Sequence, residues 1–235
     1  MGRLIFIALI AIGAYVWWQY RSIQSGSSLR ASARPLQNDQ LEQLFARLAK
    51  TAGIEKVEVL VLPDRNPNGL ATGTGDIYIT QGFIDAFHRG EVTASELASV
   101  AAHELGHVAL GHMKRRMVQM GGTQAAHMVL GGVLSRIIPI PYVGAYIAGW
   151  LLNMVTAKLS RNDEFEADAY ATALMVRSGL GAEPQAALLE KLPSLIPGAG
   201  GQRSWLASHP PTELRAAAIR ANADRWQDHL PQIEN

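Results

Sequence analysis

The chain has 235 residues, and its 21 basic and 20 acidic residues leave a formal net charge of +1. This balance, without a basic stripe, gives no support for nucleic-acid binding. Cysteine is absent, which excludes disulfides, thiolate zinc ligands, a cysteine nucleophile and a lipid-modified cysteine. The length allows one domain of ordinary size, or a smaller domain joined to a membrane anchor.

The chain begins with an uncharged apolar run between Arg3 and Arg21. At about 1.5 Å per residue, this run would extend roughly 25 Å as a helix, near the lower limit for crossing a bilayer. Aromatic residues cluster at its far end, as in an interfacial belt: Tyr15, Trp17, Trp18 and Tyr20. We predict an uncleaved, single-pass membrane anchor over residues 1–21, followed by a flexible tether over 22–35.

Two other interpretations of this segment stay open. A cleaved signal peptide would use Ala31-Ser32-Ala33 as its cleavage site, although that site lies far from the apolar run. A soluble core helix is the other alternative. The positive charges flanking the run favour the amino end in the cytoplasm and the folded domain in the periplasm, with the cytoplasmic side as the alternative.

A single α+β domain is predicted over residues 36–235. Apolar residues recur at helical spacing over 36–50, and Val57, Val59 and Val61 alternate as in a strand. A second strand is predicted over residues 76–80. Thr93 and Glu96 have the spacing of a capping box, which predicts a helix running from there to about residue 117.

That helix carries the pattern His-Glu-x-x-His at residues 103–107. One helical turn separates His103 from His107, so both imidazoles project from the same face and can share one tetrahedral Zn²⁺. Glu104 would lie beside the site and could take a proton from water as it attacks a carbonyl. The simpler interpretation is two core histidines, whose unpaired burial would be costly. His112 is expected to face elsewhere, in a structural or solvated role.

A second apolar region, residues 121–159, is interrupted by Pro139-Ile140-Pro141. Neither half reaches a comfortable length for a membrane span. We therefore predict an apolar helical hairpin that packs on the domain or lies in the membrane interface, with two short spans as the alternative. We expect this hairpin to cover the metal site and to control access to it or touch lipid.

A catalytic zinc needs a third protein ligand and an open fourth position. Glu164 and Asp168 are spaced i, i+4 on one predicted helix. This spacing lets the first carboxylate bind the metal while the second accepts a hydrogen bond from a ligand imidazole. A favourable helix dipole explains the other two acids of that turn, Asp163 and Glu166. We predict one Zn²⁺ per chain.

Three segments together resemble the HtpX and CAAX-prenyl-protease family of zinc metallopeptidases. They are His-Glu-Leu-Gly-His at 103–107, Ser-Arg-Asn-Asp-Glu-Phe-Glu-Ala-Asp at 160–168 and Ser-His-Pro at 208–210. Residues 67–73 resemble the family's Asn-Ala-Phe-Ala-x-Gly segment, from which Gly69 and Leu70 depart. The resemblance implies that His103, His107 and Glu164 bind zinc.

The same resemblance implies further roles. Glu104 would be the general base and acid, and Asp168 would orient a ligand histidine. His209 would point at the site and steady the oxyanion, although a histidine before two prolines could also be a rigid exposed turn. Arg215 would brace the His209 segment. The family's edge strand pairs with extended substrate and would correspond here to Asp76, Ile77, Tyr78, Ile79 and Thr80.

The expected fold is a mostly helical, zincin-like metallopeptidase domain, with a small β-sheet against the motif helix and an N-terminal membrane helix. The expected function is a membrane-anchored zinc metalloendopeptidase that hydrolyses peptide bonds in misfolded envelope or membrane proteins. Its partners would be protein or peptide substrates, and membrane lipid through the anchor. Two alternatives remain: a chaperone-like binding protein of protease fold with little turnover, and an anchored structural protein with a non-catalytic metal.

Overall fold

A computed structural model describes residues 27–72, 75–138, 140, 142–195, 205, 209 and 213–227. The predicted membrane helix over 1–21 lies outside the described residues, as does the first part of the predicted tether. The prediction of a flexible tether is wrong for its described part, because residues 27–32 are helical, residues 34–35 form a strand, and Arg30 pairs with Glu58 and Asp76. The described chain is mostly helical and includes one small mixed sheet. This architecture is the predicted α+β class.

The sheet has four strands in the order β1-β2-β4-β3. Their bounds are Arg34–Pro35 for β1, Val59–Leu62 for β2, Gly69–Ala71 for β3 and Ile77–Thr80 for β4. The two central strands, β2 and β4, are parallel, whereas each outer strand is antiparallel to its neighbour. Every residue of β2 and β4 is buried, because both faces of these strands are covered.

The predicted edge strand is wrong in position: β4 lies inside the sheet, and Asp76 lies just before it. The strand pairs with β2 on one side and with β3 on the other. Its backbone groups are therefore already used, and an extended substrate could not pair with it. The residues concerned are Asp76, Ile77, Tyr78, Ile79 and Thr80. The outer strand on this side is β3, which has three residues and is too short to show a period in the sequence.

Seven helices of at least eight residues lie in the described part of the chain: α1 Asp39–Ala52, α2 Gln81–His88, α3 Ala94–Ala109, α4 His112–Ile137, α5 Val143–Arg177, α6 Glu183–Leu195 and α7 Glu213–Gln227. The predicted capping box at Thr93 and Glu96 is confirmed, and it begins α3. Helix α3 is buried along nearly its whole length and contacts α1, α5, α6 and strand β3. The motif helix is thus the central element of the core.

Helix α3 ends earlier than predicted, at Ala109 rather than near residue 117. Gly111 follows with a φ of 66° and begins a separate helix at His112. Glycine adopts this left-handed conformation without the steric cost of a Cβ. The turn changes the direction of the chain, so the residues after it do not continue the face pattern of α3.

Residues 121–137 and 143–159 of the predicted apolar hairpin lie in α4 and α5. The two helices are antiparallel, because Gly131 lies against Ala145 while Gly149, further along α5, lies against the earlier His127. Both helices extend beyond the predicted limits of the hairpin. Among the helices that the structure describes, none combines the length and the apolar content that crossing a membrane requires.

Candidate metal centre

The candidate site lies between helices α3 and α5. Gly106, on α3, faces the backbone of Ala167 on α5, and a Cβ at position 106 would lie 2.9 Å from the Ala167 carbonyl oxygen. Glycine therefore allows a closer approach of the two helices than any side chain would. This close packing brings Glu164 of α5 beside the two histidines of the motif.

The three predicted ligand side chains converge. Nε2 of His103 lies 3.1 Å from Nε2 of His107. The first nitrogen lies 3.4 Å from Oε2 of Glu164, and the second lies 3.5 Å from Oε1. A tetrahedral zinc with ligands at about 2.0–2.1 Å would separate neighbouring ligand atoms by about 3.3 Å. The three residues are buried. Both the donor types and their spacing fit one zinc ion.

Glu104 lies beside these residues and is also buried. Its Oε1 accepts a hydrogen bond from Nε1 of Trp205 at 3.3 Å and lies 3.4 Å from Nε2 of His209. The ring of Trp205 also packs edge-on against the ring of His103, with centroids 5.5 Å apart. Trp205 belongs to no recognised motif and is 101 positions from Glu104, so no sequence signal links it to the site. This tryptophan holds the Glu104 carboxylate in place.

His209 is brought into the same cluster, so its alternative as an exposed turn is wrong. Nδ1 of His209 lies 2.8 Å from Glu164 Oε2 and 3.2 Å from Nε2 of His103. Each of the four residues His103, His107, Glu164 and His209 offers one possible ligand atom, and these four atoms lie within 4.8 Å of one another. A site with four protein ligands would be closed, whereas three ligands leave a position for water and substrate. The geometry thus gives His209 two candidate roles, as a fourth ligand or as a hydrogen-bond donor to substrate.

Asp168 and Arg215 lie behind His103. Oδ1 of Asp168 is 2.9 Å from Nδ1 of His103. Arg215, on α7, donates to both carboxylate oxygens of Asp168, at 2.6 and 2.9 Å, and its Nη1 lies 3.4 Å from Glu164 Oε2. Arg215 is 2% exposed. Arg215 therefore contacts two carboxylates of the site directly.

The surroundings set the protonation states of the metal-free site. Burial disfavours the charged form of His103, but contacts with Asp168 and Glu164 outweigh burial and raise the pKa of His103 to about 9. Burial, with the neighbouring His103 and His209, lowers the pKa of His107 to about 2. Burial would raise the pKa of Glu164, yet hydrogen bonds with His103 and His209 hold it below its usual range. A metal would displace the proton on His103.

The structure contradicts the expectation that His112 faces away from the site. Nδ1 of His112 lies 2.8 Å from Nδ1 of His107, and His112 is 1% exposed. The turn at Gly111 returns the chain towards α3, so helical spacing does not apply between the two histidines. The glycine two residues after the end of α3 is the signal that could have revealed this break.

The arrangement is that of a zinc metallopeptidase site. It combines two histidines on one buried helix, a glutamate from a second helix and a further glutamate beside them. The sequence model of peptidase family M48 matches residues 35–223. The chain is 29% identical to protease HtpX of Cellvibrio japonicus over 257 residues, which covers 94% of this chain and 85% of that protein.

Two further relatives agree with this match. Protease HtpX of Pseudomonas aeruginosa is 28% identical over 233 residues, covering 86% of this chain and 78% of the relative. Metalloprotease LoiP of Escherichia coli is 31% identical over 173 residues, covering 71% and 62%. The chain belongs to peptidase family M48, within the HtpX-type zinc metallopeptidases. It is a metalloprotease, as the sequence analysis predicts, and its family implies a bound metal.

Proposed function

We propose that this protein is a membrane-anchored zinc endopeptidase that cleaves misfolded envelope or membrane proteins, with its catalytic domain on the periplasmic side. The observation that supports this most directly is the buried convergence of His103, His107 and Glu164 beside Glu104. One zinc ion held by the first three residues would polarise a peptide carbonyl and make a water molecule more acidic. The remaining steps belong to the side chains of the chain itself.

Glu104 is the proposed general base and acid: it takes the proton from the attacking water and passes it to the leaving amine. His209 is the proposed oxyanion donor, because its Nε2 lies near Glu104 rather than in the ligand cluster. Oδ1 of Asp168, 2.9 Å from Nδ1 of His103, is the proposed acceptor for the proton on that nitrogen, which would leave the Nε2 lone pair of the ring for the metal. Arg215 holds Asp168 in this position.

Strand β3, rather than β4, is the proposed docking edge for substrate. The backbone amide of Thr80 donates to the carbonyl of Asn68 at 2.9 Å, and the amide of Thr72 donates to the carbonyl of Asp76 at 3.0 Å. Hydrogen-bonded pairs alternate along an antiparallel ladder, so the backbone groups of Gly69 and Ala71 face away from β4. A Cβ on Gly69 would lie 3.8 Å from Glu104 Oε1, so this edge passes beside the proposed base.

Main-chain pairing of this kind requires an extended substrate and reads little of its side-chain sequence. We therefore expect the full-length protein to cleave an unfolded polypeptide such as casein and to spare compact folded proteins. Replacing Ala71→Pro removes the outward N–H without breaking the bonds between β3 and β4. Loss of one such bond should reduce casein cleavage by about tenfold, measured as the initial rate of peptide release.

The matched control is Ala71→Ser, which keeps the N–H and nearly the same volume. This variant should cleave casein at close to the wild-type rate, and both variants should bind zinc normally. Equal cleavage by Ala71→Pro and Ala71→Ser would show that substrate does not pair with this edge.

A large apolar surface on α4 and α5 supports the membrane location. Its aromatic residues are widely exposed and spaced one turn apart: Tyr142 by 87%, Tyr146 by 77% and Trp150 by 55%. Aliphatic residues continue the surface along both helices: Val129, Val133, Ile137, Leu151, Met154 and Val155. Within residues 117–157, Arg136 is the only Asp, Glu, Lys or Arg, and Lys158 and Arg161 follow directly. Exposed aromatics beside cations suit the headgroup region of an anionic bilayer.

The absence of cysteine allows this surface to be tested with single labels. In the full-length protein, reconstituted into anionic vesicles, an environment-sensitive fluorophore at Tyr146→Cys should be quenched by lipids brominated on the acyl chains. The same fluorophore at Ala221→Cys, exposed on α7, should not be quenched. Equal signals at the two positions, or disulfide cross-linking of two chains through position 146 instead of lipid quenching, would contradict a lipid-facing hairpin.

A further inference from the structure

A second buried histidine lies directly behind His107. The ring of His107 directs Nε2 towards His103 and Glu164, and its Nδ1 lies 2.8 Å from Nδ1 of His112. The two ring centroids are 4.9 Å apart, with the rings inclined at 70°. His112 is 1% exposed. It takes no part in the proposed chemistry, and it does not belong to the ligand cluster.

The contact between the two rings has two neutral arrangements of protons. If His112 donated from Nδ1, the proton of His107 would lie on Nε2 and would block the atom that faces the site. If His107 donates from Nδ1, its Nε2 keeps a lone pair for a metal. The second arrangement requires His112 to carry its own proton on Nε2.

Glu166 selects this second arrangement. Its Oε2 lies 3.1 Å from Nε2 of His112, and a carboxylate only accepts hydrogen bonds. Nε2 of His112 must therefore be protonated, which leaves Nδ1 of His112 as the acceptor for His107. The chain of hydrogen bonds then runs in one direction, from His107 to His112 to Glu166.

An arginine holds Glu166, the last residue in this series of hydrogen bonds. Nη1 of Arg115 lies 2.8 Å from Asp163 Oδ1 and 3.0 Å from Glu166 Oε2. The guanidinium supplies the positive charge that these two carboxylates need. For this reason the His112, Asp163 and Glu166 group is better explained as a support than as a second cation site.

We propose that His112 is a positioning residue, which fixes the tautomer and ring orientation of His107 for metal binding. This inference rests on the proposed zinc site and extends it. His103 has a carboxylate behind it, whereas His107 has the imidazole of His112, which is oriented by Glu166. Loss of an outer partner of this kind lowers metal affinity by about 10–100-fold.

The test is the dissociation constant for zinc of the full-length protein, measured by competition with a chromophoric chelator. His112→Phe keeps a ring but removes the acceptor, and should weaken zinc binding by about 10–100-fold. His112→Asn places Oδ1 near the position of Nδ1, and should restore affinity to within a few-fold of wild type. His127→Phe, on the same helix but exposed, is the matched control and should leave affinity unchanged.

A second variant, at the exposed Glu166, tests the proposal even if substitutions at the buried His112 prevent folding. The Glu166 side chain is 47% exposed, so Glu166→Ala should fold, and it removes the group that selects the tautomer of His112. We expect it to weaken zinc binding in the same direction. The proposal is overturned if His112→Phe and Glu166→Ala bind zinc as wild type does, or if His112→Asn is as weak as His112→Phe. Failure of the wild-type protein to bind zinc would instead refute the proposed function.

Discussion

Glu104→Gln is expected to remove nearly all proteolysis and to leave zinc bound. The amide has the shape of the carboxylate and can still accept the hydrogen bond from Trp205, but it cannot take a proton from water. General acid–base catalysis contributes about 10²–10⁴-fold to such reactions. The initial rate of casein cleavage by the full-length variant should fall by at least the lower of these factors.

The control is Glu91→Gln, which changes an exposed glutamate paired with Arg89 on the surface. This variant should cleave as wild type does, and elemental analysis should find one zinc per chain in both variants. Equal cleavage by wild type and Glu104→Gln would remove Glu104 from the mechanism. Stable binding of unfolded chains with negligible cleavage by the wild type would favour the chaperone-like alternative.

Arg215→Met is expected to lower the free energy of unfolding by about 3–5 kcal/mol, the usual cost of leaving a buried charge without its partner. Arg215 is 2% exposed and pairs with Asp168, which is equally buried. Methionine fills much of the same volume without the charge. The free energy of unfolding of the metal-free protein, from urea denaturation in detergent, measures this effect.

The pH dependence gives a second check on the same pair. Burial would raise the pKa of Asp168, but hydrogen bonds from Arg215 and His103 lower it. A carboxyl with a lowered pKa in the folded state stabilises the fold above its unfolded pKa and loses this contribution as pH falls. The difference in stability between wild type and Arg215→Met should therefore shrink at acidic pH, where Asp168 becomes protonated.

Arg220→Met is the matched control on the same helix. Arg220 pairs with Glu183 and Glu190 at the surface, where solvent screens the charges. It should change stability far less than Arg215→Met. Comparable losses from the two variants would mean that the buried pair does not stabilise the fold in this way.

The motif helix shows how far the sequence determines the site. The capping box at Thr93 and the one-turn spacing of His103 and His107 depend on residues within a few positions of each other, so both are readable from the chain. Glu164 is 57 positions from His107, and its predicted role came from its spacing to Asp168. Its position beside the histidines depends on the close packing of Gly106 against Ala167.

The prediction of an edge strand over residues 76–80 shows what a sequence pattern cannot determine. A strand pattern states which residues are extended, but not which strands become neighbours. The three residues of β3 carry no measurable period, yet they take the outer position and place β4 inside the sheet. The prediction that His112 faces elsewhere is wrong for a related reason. It assumed one continuous helix, but Gly111, in a left-handed conformation, separates that helix from the next one.

The sequence by itself determined the family, the hydrolytic class and the candidate metal-binding residues, because these depend on residue types at short, fixed spacings. Only the tertiary structure decided which strand lies at the outer edge of the sheet, how Arg215 contacts Asp168 and Glu164, and that His112 lies behind His107. Those contacts join segments far apart in the chain. Their geometry follows from how helices and strands pack, and local patterns do not record it.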